Sequence, residues 1–197
     1  MRPYTPTTDD ATPGTVDFVI KVYPTGRVTP ALDSLKIGDC ILAKGPKGRF
    51  TYKPNMAEEI GLVAGGTGIT PMFAVAMAAL RKKSKSDRSS EEGEDKTRFS
   101  LVFANVTEDD ILIRDKLEAL ARGNPERFKV HYVLNEPPKE GSWNGSVGFV
   151  TKEILAKHLP APGSKTLVLR CGPGPMNKAV GAALEELGYS KEMTFEF

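Results

Sequence analysis

Short apolar runs alternate with longer amphipathic stretches along most of the chain, from Ile60 onward. Apolar runs of this length, bounded by Gly, Pro or charged residues, are typical of buried parallel strands, and the stretches between them are typical of helices. A chain that alternates strand and helix predicts a parallel α/β sheet. The five predicted strands cover residues 60–64, 99–104, 128–134, 166–170 and 193–197.

The stretches between these strands predict four helices. Thr151 stands where its hydroxyl can cap the third helix, and Gly188 stands where a glycine commonly ends a helix, after the fourth. Helices between all five strands predict a doubly wound sheet of the nucleotide-binding type. The predicted helices cover residues 71–82, 111–121, 152–159 and 176–187.

The first 54 residues have a β pattern instead. Residues 17–23 are β-branched and aromatic, and a second apolar pair, Ile41-Leu42, stands between glycine-rich turns. Between them, Thr29 and Pro30 predict the N-cap and first position of a short helix. These elements make half of an antiparallel β-barrel. We therefore predict a partial barrel domain at residues 1–56 and an α/β domain at residues 57–197.

Residues 81–98 contain seven basic and five acidic residues and no large apolar side chain. Such a composition cannot build a packed core. We predict a flexible, charged insertion between the first helix and the second strand of the α/β domain.

Composition excludes several functions. The 27 Lys+Arg residues nearly balance the 25 Asp+Glu residues, so nucleic acid is not the expected partner. Two cysteines and two histidines form no metal-binding pattern and no disulfide framework. No apolar run approaches the roughly 18 residues that span a bilayer. We expect no membrane segment in this chain and a cytoplasmic location, with an anchor in a longer form left open.

Two glycine-rich turns follow predicted strands. The first, residues 65–68, joins a strand to a helix, where glycines let a backbone approach a pyrophosphate. It departs from the usual dinucleotide fingerprint because Pro71 replaces the third glycine, and it lacks the Gly-Lys-Ser/Thr of a nucleoside-triphosphate loop. The second, residues 171–176, follows the fourth strand. Since ligands bind at the carboxyl ends of parallel strands, both turns are expected in one crevice.

The segment Arg2-Pro3-Tyr4-Thr5-Pro6 combines a bidentate phosphate binder, an aromatic ring and a hydroxyl on a stiff backbone. With the motifs that follow it, this segment resembles the NADH–cytochrome b5 reductase family, which is similar to the flavin module of nitrate reductases within the ferredoxin-NADP reductase-like flavoenzymes. The resemblance covers nearly the whole chain and rests on residues 2–6, 19–23, 45–48, 65–72, 171–176 and 195–197.

The resemblance implies an enzyme with a flavin barrel and an NADH-binding domain. A hydride would pass from NADH to FAD, and single electrons would then pass to a haem protein such as cytochrome b5. Thr5, Lys21 and Cys171 would lie at the reacting rings. The residues implied to bind FAD are Arg2, Pro3, Tyr4, Thr5, Val19, Lys21, Arg27, Val28, Thr29 and Thr70, and those implied to bind NADH are Gly66, Thr67, Cys171, Gly172, Pro173 and Met176.

Two departures from the family pattern keep alternatives open. Family members carry barrel strands upstream of the Arg-Pro-Tyr-Thr motif, so we expect this chain to be truncated at its N-terminus. Asn135 also stands where many NADH-using relatives have Asp. The alternatives are a nucleotide-binding module that holds FAD weakly and has little reductase activity, or a flavin fragment of a nitrate reductase. Flavin absorbance in the purified protein distinguishes the first alternative.

Overall fold

The computed structural model describes residues 2–8, 13–81 and 94–197. Within that part of the chain, six strands pair in parallel: β1 (Glu59–Gly65), β2 (Arg98–Asn105), β3 (Phe128–Leu134), β4 (Ser146–Val147), β5 (Thr166–Cys171) and β6 (Thr194–Glu196). Their order in the sheet is β4-β3-β2-β1-β5-β6. The chain moves outward from β1 through β4 and returns beside β1 with β5, which confirms the doubly wound parallel sheet.

Strand β4 is the strand that the apolar pattern did not predict, so the prediction of five strands was one too few. It has two residues, with Ser146 opposite Val133 and Val147 opposite Leu134. A periodic pattern cannot appear in two residues, and Val147 is exposed. The strand exists because the edge of β3 offers it backbone partners.

Five α-helices lie in the described residues: α1 (Thr29–Asp33), α2 (Ile69–Leu80), α3 (Arg114–Gly123), α4 (Lys152–His158) and α5 (Gly174–Glu186). The Thr151 hydroxyl accepts a hydrogen bond from the Ile154 amide at 3.4 Å, so the predicted cap of α4 is confirmed. Helix α3 starts three residues later than predicted because Ile113 has a left-handed φ of 51°. None of the helices in this part of the chain is long and apolar enough to cross a membrane.

Both faces of the sheet are buried under helices. On one face Leu62 and Phe103 pack with residues of α2 and α3, and on the other Val63 and Val102 pack with residues of α4 and α5. Strands buried on both faces have nearly continuous apolar sequences, as β1 does between Ile60 and Ala64. The two layers place the carboxyl ends of β1 and β5 side by side at one edge of the sheet.

The described residues of the N-terminal part form no sheet. The strands predicted at residues 17–23 and 41–42 are not formed in the described residues, where α1 is the one regular element before β1. A ladder needs repeated backbone pairing between neighbours. Here a single backbone bond, from the Thr7 amide to the Asp17 carbonyl at 2.9 Å, joins the stretches before and after residues 9–12. The predicted barrel is therefore present only in part.

Most of the predicted charged insertion, residues 82–93, lies outside the described residues. At its C-terminal end the prediction extended too far. The Tyr52 hydroxyl donates to Asp95 at 2.6 Å, and Thr97 is buried, with its hydroxyl donating to the Ala57 carbonyl at 3.0 Å. Side-chain pairing fixes Asp95 to the rest of the fold, an effect that composition does not reveal.

Candidate functional site

A cleft of about 1630 Å³ opens at the carboxyl edge of the sheet. One wall consists of the two glycine-rich turns, and the other of residues from the N-terminal part. Pockets for one drug-sized ligand measure roughly 300–1,000 Å³, so this cleft suits larger or paired ligands. It lies at the switch point between β1 and β5, where doubly wound sheets bind their ligands.

The first turn runs directly from β1 into α2. Gly65 ends the strand, Gly66–Gly68 form one 3-10 turn, and α2 begins at Ile69. Gly66 has a φ of 52°, which favours glycine. The Thr70 hydroxyl donates to the Thr67 carbonyl at 3.2 Å and fixes the turn from within the helix.

The second turn packs directly against the first. A Cβ on Gly68 would lie 2.0 Å from the Cys171 carbonyl oxygen, and one on Gly65 would lie 2.5 Å from the Met176 sulfur. The Cys171 carbonyl is backbone and cannot move aside, so the turns pack this closely only with glycine at position 68. At position 65 an added side chain would require the Met176 side chain to shift.

The N-terminal wall carries the segment predicted to bind flavin. Arg2 and Pro3 are exposed, Thr5 is half-buried, and Tyr4 is 36% exposed, with all four lining the cleft. The half-buried Val19 lines the same wall. A ring and a guanidinium that face the cleft can contact a flat, phosphorylated ligand.

Thr29 does not have the helix-capping role predicted for it. It lies inside α1, whose N-cap is Val28, and its hydroxyl accepts from the Tyr23 amide at 3.0 Å. It therefore closes the tight turn at residues 23–29 and does not cap the helix, because the backbone of Tyr23 competes for the hydroxyl. Arg27, exposed beside it, and Val28 line the cleft.

Lys21 contacts the α/β domain. Its ammonium lies 2.6 Å from the Asp110 carboxylate, and the two side chains are 35% and 26% exposed. Asp110 also accepts from the amide and hydroxyl of Thr107, at 3.1 and 2.9 Å. The hydrogen bond from Lys21 is the main reason that the pKa of Asp110 lies below its usual range.

Cys171 ends β5 at the mouth of the cleft and is half-buried. Burial, with a smaller effect of the Glu196 charge, raises the pKa of its thiol. Glu196 is itself held by Arg170 at 2.8 Å and by the Asn177 amide at 3.2 Å. The thiol is thus protonated at neutral pH and suits a packing contact with a ligand better than nucleophilic chemistry.

Comparison with known proteins agrees with this geometry. The oxidoreductase NAD-binding domain family matches residues 62–181, and the oxidoreductase FAD-binding domain family matches residues 1–52. The cytochrome b5 reductase domain of Ulva prolifera nitrate reductase has a TM-score of 0.88 and 35% identity, and the alignment covers all of this chain and 78% of that one.

This chain belongs to the NADH–cytochrome b5 reductase family. It is 51% identical over 197 residues to the NADH–cytochrome b5 reductase 1 of Arabidopsis thaliana and 48% identical over 196 residues to that of Dictyostelium discoideum. Both alignments cover the whole of this chain, which spans 66% and 64% of the two relatives. The chain thus corresponds to somewhat less than two thirds of these curated reductases.

Within this reductase fold, all of the predicted site residues except Met176 line the cleft. The Met176 sulfur lies against Gly65 and Gly172 instead. The contact of Met176 with NADH and the individual roles of the lining residues stay predictions.

The cleft also contains residues that the motifs did not single out as site residues. Phe195 and Phe197 line it and pack with Phe50 at ring-centroid distances of 5.2 and 5.8 Å. Lys47 and Arg49, from the N-terminal part of the chain, also line it. The sequence pointed to the phenylalanines only through the family motif at residues 195–197. It pointed to the cations only through the glycine-rich motif at residues 45–48, which Arg49 follows directly.

Asn135, the residue that departs from many NADH-using reductases, follows β3. Its side-chain amide donates to the Gly148 carbonyl at 3.3 Å, and the neighbouring Glu136 is exposed. An amide engaged with the backbone offers no positive charge to a 2′-phosphate.

Proposed function

We propose that this chain is the cofactor-binding part of an NADH-dependent cytochrome b5 reductase. The enzyme would transfer a hydride from NADH to FAD and then single electrons to a haem protein such as cytochrome b5. One observation carries the proposal: the flavin-type wall and the nucleotide-type turns enclose a single cleft. Membership of the reductase family and the two matched domain families support it.

The charge of the cleft fits two pyrophosphate-bearing ligands. Its described lining residues include five cations, Arg2, Lys21, Arg27, Lys47 and Arg49, and no Asp or Glu. Lys21 pairs with Asp110, and the other four form no ion pair within the described part of the chain. Guanidinium groups without a protein partner suit bidentate binding of phosphate.

The backbone of the first turn fits the phosphates of NADH. Its glycines bring backbone without side chains to the cleft at the start of α2, where a helix favours negative charge. Arg2 and Arg27 would hold the FAD phosphates from the other wall. Tyr4 and Thr5 would orient the flavin ring, and Cys171 would pack beside the nicotinamide.

FAD, when bound, supplies the hydride acceptor and the one-electron chemistry. The protein needs no general acid or base for that step, and the described lining of the cleft contains no Asp, Glu or His side chain. Its residues act by alignment instead, since two rings that are held at reacting distance gain most of the rate enhancement from positioning.

The test is reduction of bound flavin by NADH. The purified chain is loaded with FAD, mixed with NADH without oxygen, and then mixed with oxidised cytochrome b5. We expect the flavin absorbance to bleach and the haem spectrum to change to that of the reduced protein. An Arg122→Ala variant, altered on the exposed side of α3, is the control and should behave as the original chain. A flavin that binds and stays oxidised contradicts the proposal.

The division of the chain at residues 56 and 57 is part of the same proposal, as is a cytoplasmic location. The matched families at residues 1–52 and 62–181 leave a short join between them, which supports the division. The two cysteines are unpaired thiols, which is usual in a reducing compartment.

A further inference from the structure

Asp110 lies outside the cleft lining and touches one of its cations. Its carboxylate bonds Lys21 through one oxygen at 2.6 Å and Thr107 through the other, at 2.9 and 3.1 Å. Two donors from Thr107 fix the carboxylate on the loop after β2. The lysine ammonium therefore meets an acceptor whose orientation is already set.

This ion pair joins two parts of the chain that make no other polar contact with each other in the described residues. Among the described residues, it is the one hydrogen bond or ion pair between residues 13–49 and residues 57–197. Residues 17–23 form no strand that would hold them by backbone bonding. Their polar attachment to the sheet thus depends on one side chain.

We propose that Asp110 is a positioning residue that holds the flavin-lining segment, residues 17–23, against the nucleotide-binding edge of the sheet through Lys21. The proposal rests on the proposed function only for its effect on rate. The tether itself is a property of the chain without ligands. Asp110 acts through Lys21, and it is not a catalytic residue.

Alignment is the property that the tether serves. Val19 and Lys21 line one wall of the cleft, while Gly66 and Cys171 line the other. Reacting groups on the two walls must keep their separation, because a displacement of about 1 Å can lower a rate by roughly 100-fold. Loss of the tether should therefore slow hydride transfer more than it weakens binding of either ligand.

Limited proteolysis of the chain without ligands tests the tether. The variant Asp110→Asn keeps an oxygen for the Thr107 donors and removes the charge that binds Lys21. We expect chymotrypsin to cut after Phe18, inside residues 17–23, roughly two- to fivefold faster in this variant, the range that corresponds to loss of a partly exposed ion pair. Asp109→Asn is the matched control, since Asp109 is an exposed neighbour. Equal rates of cleavage after Phe18 in all three proteins overturn the proposal.

Flavin reduction tests the effect on alignment. In Asp110→Asn we expect the limiting rate of flavin reduction by NADH to fall by about tenfold, with the Kd for NADH changed by less than about threefold. The same substitution made in a Lys21→Met background should cause no further loss, because the partner is already absent. A further loss of the same size in that background overturns the proposal, as does an unchanged rate.

The two measurements separate the tether from the proposed function. Faster cleavage after Phe18 in Asp110→Asn with no flavin reduction by NADH in the unaltered chain contradicts the reductase proposal and supports the tether. A lower melting temperature for Asp110→Asn with unchanged cleavage after Phe18 shows a merely structural residue and overturns the inference.

Discussion

At the scale of the residue, Cys171 shows how a position can matter without ionising. Its thiol is half-buried at the end of β5, and burial raises its pKa, so at neutral pH it is a small uncharged group beside the cleft. A residue of this kind contributes shape to the site. Affinity for a dinucleotide comes mainly from charged and backbone contacts to its phosphates, which lie elsewhere in the cleft.

We predict that Cys171→Ser lowers the limiting rate of flavin reduction by about tenfold and changes the Kd for NADH by less than about threefold. The smaller, more polar hydroxyl would change the packing at the reacting ring and leave the phosphate contacts intact. Stopped-flow absorbance measures both constants. Cys40→Ser is the control, because Cys40 is exposed and outside the cleft lining. An unchanged reduction rate in Cys171→Ser contradicts the prediction.

We predict that NADH binds more tightly than NADPH, by about tenfold or more. The Asn135 amide is bonded to the Gly148 carbonyl, and Glu136 would lie near an added 2′-phosphate and repel it. Calorimetric titration with both nucleotides measures the ratio. Glu136→Lys should reduce the preference, whereas Glu126→Lys, an exposed change before β3, should not. Tighter binding of NADPH by the unaltered chain would show the interpretation to be wrong.

At the scale of the element, the contact between the two glycine-rich turns joins β1, α2 and β5 at the mouth of the cleft. Gly68 approaches the Cys171 carbonyl so closely that an added Cβ would lie 2.0 Å from the oxygen. The obstacle is backbone, which cannot rotate away as a side chain can. Strand, turn and helix must therefore move together to admit even a methyl group.

We predict that Gly68→Ala lowers the free energy of unfolding by about 2–3 kcal/mol, the cost of forcing an extra methyl group into a packed site. Urea denaturation followed by circular dichroism measures the change. Gly123→Ala is the matched control, since a Cβ there meets open space at the end of α3. That control should be neutral or stabilise the protein by up to about 1 kcal/mol. Equal stability of the two variants would contradict the packing argument.

Strand β3 and helix α4 meet at a stacked pair of histidines. The rings of His131 and His158 lie 3.5 Å apart with an angle of 9° between their planes, and His131 bonds the Ser146 hydroxyl at 2.8 Å. Burial lowers the pKa of both rings, and the charge of Lys157 lowers each further. The folded protein therefore keeps the pair neutral at a pH where the unfolded chain takes up protons.

We predict that the melting temperature falls as the pH drops below about 6.5, the ordinary pKa of histidine, and that the fall ends once the folded-state histidines are protonated. A lowered folded-state pKa gives this sign, because protons then bind the unfolded chain first. The pH dependence between about 7.5 and 5.5 should be smaller in His131→Phe, which keeps a stacked ring without a titrating nitrogen. An equal dependence in both proteins would exclude the pair as its source.

At the scale of the whole molecule, the cleft is assembled from both ends of the chain. Arg2 and Tyr4 meet it from the N-terminus, Phe197 from the C-terminus, and the turns from the middle of the sheet. A ligand that fills it contacts segments with few backbone bonds of their own as well as the packed sheet. Ligand binding should therefore stabilise the fold and also order the N-terminal part.

We predict that FAD at about 100 times its Kd raises the melting temperature by about 5–10 °C, the shift that corresponds to roughly 2.7 kcal/mol in a domain of this size. Thermal unfolding followed by circular dichroism measures it. Arg2→Ala should give a smaller shift at the same FAD concentration because a phosphate contact is lost. Arg122→Ala, exposed on α3, should give the full shift. No shift in the unaltered chain would contradict FAD binding at this cleft.

Much of the fold follows from local patterns in the sequence. The bounds of β3 agree with the prediction, and the other four predicted strands differ from it by one residue or so at their ends. Strands that are buried on both faces carry their own apolar signal, so their positions need no knowledge of neighbours. The glycine-rich turns are visible for the same reason, since each turn requires glycine locally.

The remaining features depend on residues far apart in the sequence. The strand β4, the pairing of Lys21 with Asp110, the place of Phe195 and Phe197 in the cleft and the missing ladder at residues 17–23 belong to this group. The sequence by itself determined which segments form the longer parallel strands, the two turns and the family motifs. Only the tertiary structure decided which partners they meet, because a two-residue strand or an ion pair across 89 positions has no local pattern and exists only where packing brings its partners together.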